Sequence, residues 1–262
     1  MTLALIAGRG GLPAALVAAL PDRPLVASLE GFAPEGLTPD MTFRIERLVP
    51  FLRALEDAGV TRVAFAGAVQ RPRLDPSLFD PQTAQMVPRL LAAMQAGDDA
   101  TLREVLAIFE DAGFAILGVA DIAPGLVPGA GVLCGAVTPA QDRDATRAAA
   151  IVAALGAVDV GQGCVVAQGL CLAVEALPGT DAMLAQVAAL GAGLGRGGLF
   201  YKAAKPGQDR RIDLPTLGPA TVDAAADAGL AGIAWAAGEV ICLDLPAMVA
   251  RADEQGLFLW AR

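Results

Sequence analysis

The 262-residue chain contains no histidine. That absence excludes a Ser-His-Asp triad, a Cys-His pair and any histidine-ligated zinc site. Proton transfer and metal binding then fall to Asp, Glu, Lys, Tyr, Cys or a bound substrate, and oxygen-only ligation suits Mg²⁺ or Mn²⁺. Basic runs are missing as well, and the net charge is −9, so nucleic acid is not expected as a partner. The four cysteines, Cys134, Cys164, Cys171 and Cys242, show no C-x-x-C spacing. Each has apolar sequence neighbours, which predicts buried free thiols rather than disulfides or zinc ligands. The start, MTLALIAGRGG, lacks the basic lead and the small-residue cleavage site of a signal peptide. The longest uncharged run, Ile122 to Gln141, is broken by Pro124, Pro128, Pro139 and by glycines. It would make a poor spanning helix. Together these absences predict a cytosolic, soluble protein.

What is present is aliphatic. Hydrophobic residues make up 55% of the chain and aromatics only 5%, with a mean hydropathy of +0.55. The length allows one large domain or two. In the first half, apolar runs alternate with helical ones. Strands are expected at Leu3–Ala7, Leu25–Leu29, Val63–Ala66 and Phe114–Val119, and helices at Pro13–Leu20, Val49–Ala58, Met86–Gln95 and Asp99–Ala112. Such alternation predicts a parallel, doubly wound, Rossmann-like sheet. Ile122 to Gln141 reads as a linker or crossing segment. Beyond it come a helix over Asp142–Leu155 and a hairpin made of CVVAQ and LCLAVE. A helix over Asp181–Leu190, capped by Thr180, then leads through GAGLGRGG to a strand at Leu199–Ala204. The glycine-rich loop lacks the Lys-Ser/Thr of a P-loop and reads as a connector. The expected organisation is α/β in two domains, a Rossmann-like domain over 1–130 and a mixed α/β domain over 131–262.

Several stretches carry candidate chemistry. Gly8-Arg9-Gly10-Gly11-Leu12-Pro13 follows the first strand. Glycines there let backbone N–H groups approach a phosphate at a helix start, making Gly10 and Gly11 candidate contacts; an ordinary tight turn is the plainer reading. Pro13 occupies the place of the third glycine of a dinucleotide fingerprint, while Glu30 stands where a ribose-binding acid would. Arg71 leaves the third strand in FAGAVQRP, where it suits either an anion or a surface ion pair. Asp98 and Asp99 suit a helix start, with a metal or ligand contact as the alternative. The most charged loop is KPGQDRRIDLPTLG, in which five of the 14 residues from Lys205 to Gly218 are charged. Asp213 sits there between Ile212 and Leu214, with Lys202, Lys205 and Arg211 close in sequence. A carboxylate that binds Mg²⁺, flanked by cations for anionic oxygens, is what displacement at a diphosphate requires. A solvated loop of local ion pairs is the other reading.

The blocks IAGRGGLP, FAGAVQRP, GDDATLR, DVGQGCVVAQGLCLAVEALPGTDAML and KAAKPGQDRRIDLPTLGPATV occur in this order over almost the whole chain. In them the chain resembles the LpxI family of UDP-2,3-diacylglucosamine pyrophosphatases of lipid A synthesis. The resemblance implies a two-domain hydrolase that holds its substrate between its halves. It would use Mg²⁺ to release UMP and 2,3-diacylglucosamine 1-phosphate (lipid X). It also implies a homodimer that meets the cytoplasmic face of the inner membrane peripherally. The family's essential aspartate matches Asp213, and further contacts carry over to Gly11, Gly67, Thr180, Lys202 and Lys205. Two positions depart from the family pattern: Ala68 where an Asn often stands, and Gln168 where an acid often stands. Two rivals remain at this stage. An NAD(P)-dependent oxidoreductase would rest on Gly8 to Gly11 and Glu30, with Pro13 against it. A non-catalytic nucleotide or lipid carrier would leave the charges around Asp213 without a task.

Overall fold

A computed structural model describes residues 2–70, 73–191, 193 and 195–262; Arg71 lies outside them, as do the side chains of Asp98 and Asp99. The chain divides into two compact units, Met1–Ala123 and Pro124–Arg262.

In the first unit the strands are Thr2–Ala7 (β1), Leu25–Leu29 (β2), Met41–Phe43 (β3), Val60–Ala66 (β4) and Ala115–Leu117 (β5). The helices are Leu12–Ala19 (α1), Leu48–Asp57 (α2), Val87–Ala96 (α3), Asp98–Asp111 (α4) and Val119–Ile122 (α5). All described pairings are parallel, in the order β3-β2-β1-β4-β5. This is the doubly wound sheet that the strand–helix alternation predicts, with the chain reversing its direction of travel at β1. A continuous apolar run suits a strand covered on both faces, and Ala4, Leu5, Ile6 and Ala7 of β1 are all buried. Phe109 on α4 anchors one side. Its ring meets Phe65 edge-on at 5.1 Å and lies 6.4 Å from Phe51, which itself stacks on Phe43 at 4.0 Å.

The second unit contains Gly131–Cys134 (β6), Gly163–Ala167 (β7), Leu170–Val174 (β8), Leu199–Lys202 (β9), Thr216–Leu217 (β10), Gly232–Trp235 (β11), Ile241–Cys242 (β12) and Phe258–Ala261 (β13). Its helices are Pro139–Ala157 (α6), Gly179–Ala189 (α7), Pro219–Asp227 (α8) and Leu245–Gln255 (α9). The main sheet runs β6-β13-β11-β9-β7-β8, and β10 and β12 form a separate parallel pair. The sheet is mixed: β9, β11 and β13 are parallel, while β6, β7 and β8 run against their neighbours. Its side chains alternate between two cores as a period of two demands. Val165, Phe200, Ile233 and Trp235 pack with Leu184 of α7, Val222 of α8 and Met248 of α9. Cys164, Val166, Leu199, Tyr201 and Ala234 pack against Ala145, Ala148 and Val152 of α6 on the other face.

Two expectations need correction. Ile122–Gln141 is not a linker throughout: it carries β6, an edge strand antiparallel to β13, and the start of α6. That helix begins three residues before the expected Asp142, because Thr138 and Gln141 form a capping box, each side chain bonding the other's backbone N–H. The four cysteines are free, yet only Cys134, Cys164 and Cys242 are buried; Cys171 is exposed on the edge strand β8.

This difference gives a test. Burial pushes the Cys164 and Cys242 thiols up to about 12 and Cys134 to about 11, so all three stay protonated and unreactive well above neutral pH. Iodoacetamide at about pH 8.5 should modify Cys171 alone in the native protein, and all four cysteines in urea. Rapid native labelling of a second thiol, read by mass spectrometry, would contradict the packing.

Candidate active site

The candidate residues of the second unit gather where β9 ends. Parallel strands point their C-terminal ends to one edge of a sheet, the usual ligand edge. Because β7 is antiparallel to β9, with Gly163 opposite Lys202, the start of β7 comes to that edge as well. So does Glu175, whose N–H donates to the Gly163 carbonyl at 2.8 Å. The sheet therefore brings together Gln162, Glu175 and Lys202, and α7 adds Thr180 from its first turn.

Lys202 and Lys205 are the only lysines in the chain; every other basic residue is an arginine. The Lys202 side chain is almost wholly buried. Its Nζ donates to Thr180 Oγ1 at 2.5 Å and to the Glu175 carboxylate at 3.3 and 3.4 Å, so the three protons of the ammonium have acceptors within the protein. Thr180 is thus not the helix cap expected from sequence. Pro178 takes the cap position, and the Thr180 hydroxyl serves Lys202 instead. Gly163 makes room for this pair: a Cβ there would come within 2.6 Å of Glu175 Oε2 and 2.8 Å of the Phe200 ring.

The charged loop that follows β9 is folded on itself by turns. Gln208 N–H donates to the Lys205 carbonyl, and the N–H groups of Ile212 and Asp213 donate to the Asp209 carbonyl. Gln208 is its hub. Its Oε1 accepts the Lys205 N–H at 2.9 Å and Gln162 Nε2 at 3.4 Å, while its Nε2 donates to Asp213 Oδ2. Asp213 is half-buried, and its Oδ1 accepts no hydrogen bond from the described residues. Pro215 and β10 then tie the exit of the loop to β12. Lys205 Nζ pairs with Asp159 at 2.6 Å, a carboxylate 78% exposed, so this ammonium is anchored at the surface. Arg211 is held by Asp209 at 2.7 Å, and Arg210 by Glu239 at 2.6 Å. The loop thus joins Asp213 to the Lys205 backbone through Gln208, and the described ion pairs of the three predicted cations are with acids other than Asp213. Gln162, Glu175 and Gln208 escaped the sequence reading. The glycines around Gln162 in DVGQGC were its one signal, since they clear space for Glu175.

In the first unit, the glycine turn after β1 and the turn after β4 cross at backbone contact. The N–H of Arg9 and that of Ala68 each donate to the other residue's carbonyl at 2.9 Å. A Cβ on Gly67, whose φ is +91°, would stand 2.7 Å from the Gly8 and Arg9 backbone. Gly67 is thus fixed by close packing. Gly10 and Gly11 are open: a Cβ at either would meet nothing within 4 Å, and Gly11 caps α1. Arg9 donates to the Gly31 carbonyl at 2.8 Å, and the acid proposed for a ribose, Glu30, is paired with Arg44 at 2.9 Å.

Residues 2–126 match the family model described as the LpxI N-terminal domain, and residues 129–260 match that of the LpxI C-terminal domain. The chain belongs to the LpxI family. It is 41% identical over 269 residues to a protein named UDP-2,3-diacylglucosamine pyrophosphatase LpxI from Caulobacter vibrioides, covering 98% of this chain and 96% of that one. Matches to both LpxI domains agree with the order of motifs along the chain and with its two units.

The buried Lys202–Glu175 pair yields a stability test. Removing one partner of a buried ion pair leaves an uncompensated charge, costing ~3 kcal/mol or more. Glu175→Ala should lower stability by that order in urea denaturation, and Lys202→Met added to it should recover part of the loss. Strictly additive losses would show that the two side chains do not interact.

Proposed function

We propose that the protein hydrolyses the diphosphate of UDP-2,3-diacylglucosamine, giving 2,3-diacylglucosamine 1-phosphate and UMP. One observation carries the reading: near full-length identity of 41% to a relative named for that activity. The loop at the end of β9 supplies matching chemistry. In the reaction a water oxygen bonds to one phosphorus, the P–O–P bond breaks, the bridging oxygen leaves with the other phosphate, and the water proton passes to solvent.

Asp213 is the catalytic residue in this proposal. Its Oδ2 is held by Gln208 and its Oδ1 is available to a cation. Among the described residues no group of three or more Asp, Glu or Cys forms a ready-made cage. That fits Mg²⁺, or Mn²⁺, which is commonly held by one or two carboxylates, with water and substrate phosphate oxygens completing its shell. Bound at Asp213, Mg²⁺ would withdraw charge from the diphosphate and orient the water. Lys205 exchanges its exposed Asp159 partner for a phosphate oxygen, and Arg211 lies six residues further along the same loop to meet another. Lys202 holds Thr180 at the rim, where the hydroxyl meets the substrate. In the first unit, Gly10, Gly11, Gly67 and Arg71 are the proposed substrate contacts. Gln208 is a positioning residue, since it acts through Asp213.

No helix among the described residues is long and apolar enough to cross a membrane. We place the protein in the cytoplasm as a homodimer, meeting the inner membrane peripherally through its amphipathic substrate; a net charge of −9 gives no help toward anionic lipid.

UMP release from UDP-2,3-diacylglucosamine tests the proposal. Wild type should release UMP with Mg²⁺ and not with EDTA, and Asp213→Ala should lose at least roughly 100-fold in turnover while remaining folded. Gln208→Leu should raise the Mg²⁺ concentration needed for half-maximal rate. A folded, fully active Asp213→Ala protein would sink the assignment.

A further inference from the structure

At the other end of the second unit's sheet lies a cavity of about 690 Å³ that the proposed reaction does not use. It sits beside the Gln168–Gly169 turn that joins β7 to β8, next to the approach to β9, whereas Lys202 ends β9 at the opposite edge. Three arginines line it. Arg143 and Arg147, one helical turn apart on α6, share a face, and Arg196 comes from the segment before β9. None of the three has an ion-pair partner among the described residues, whereas Arg9, Arg44, Arg210 and Arg211 are each held by an acid or a carbonyl. The one carboxylate in the lining, Asp144, is 5% exposed. Both of its oxygens are already used, accepting the N–H of Gln168 at 2.9 Å and of Gly169 at 2.7 Å. With φ of +52° and +76° these two residues form a tight reversed turn, and Asp144 closes it.

We propose that this cavity is a second anion site, built for a phosphate-bearing ligand distinct from the substrate diphosphate at Asp213. Three guanidinium groups that line one concavity without an acid paired to any of them give a locally positive wall that favours an anion. In a chain of net charge −9, such a cluster is not a by-product of a basic surface. Guanidinium forks bind phosphate oxygens two at a time, and the volume suits a small molecule or one headgroup rather than a flat contact. A soluble phosphate compound and the headgroup of an anionic phospholipid share this chemistry.

The probe is inorganic pyrophosphate, titrated calorimetrically in EDTA into wild type and into the Arg143→Ala/Arg147→Ala double variant. Both side chains are exposed and unpaired, so the double variant should keep wild-type thermal stability and UMP-release activity. Wild type should bind, and the double variant should bind roughly tenfold or more weakly. Sedimentation with phosphatidylglycerol vesicles separates the sources. Wild-type co-sedimentation that the double variant loses assigns the site to a headgroup, and pyrophosphate binding without co-sedimentation assigns it to a soluble ligand. Identical behaviour of the two proteins in both experiments, or no binding of either probe by wild type, overturns the proposal.

Discussion

The antiparallel pairing of β7 with β9 is the constraint on which the candidate active site depends. In an all-parallel sheet the start of β7 would lie at the far edge from the end of β9. Reversed, β7 delivers Gln162 beside Lys202, and the hairpin with β8 returns Glu175 to the same place. One topological choice thus places an acid against a buried ammonium and gives the Gln208 hub a partner across the loop. The ion pair in turn needs the missing side chain at Gly163, whose space Glu175 and Phe200 occupy. A charge this deep is tolerated because its three donors are met; with any one gone, the desolvation of the others is uncompensated.

The glycines of the first unit's two crossing turns are not all there for the same reason. Gly8 and Gly67 let two turns cross at backbone contact in the first unit, so their role is packing. Gly10 and Gly11 face open space, but the φ of +92° at Gly10 lies in the left-handed region that favours glycine, so only Gly11 is free of any such demand.

Much of the architecture was legible because it is local. Buried parallel strands announce themselves as short apolar runs, and α1, α2, α4 and α7 lie within one or two residues of where periodicity puts them. What escaped was nonlocal. β6 is short and glycine-flanked, and it becomes a strand only because β13, at the far end of the chain, pairs with it. Cys171 has apolar neighbours in sequence, but it lies exposed on an edge strand. Thr180 looks like a cap until Lys202 arrives from another strand. Asp213 could be picked out from its charged, proline-bounded loop, but the amide that holds it could not, since a glutamine carries no charge to draw notice.

The division of labour between the basic residues follows from their chemistry. Arginine is a rigid fork that cannot lose its proton, and it suits fixed recognition. Lysine is a compact charge on a flexible stem that can leave one partner for another. This chain holds two lysines, and both border the loop of Asp213. Lys202 is locked by burial and Lys205 is held by an exposed acid, so one is fixed in the frame while the other is the one that the proposed reaction has exchange its partner. Arginines, by contrast, line the cavity at the opposite end of the sheet, where the proposed second anion would be held and no bond broken.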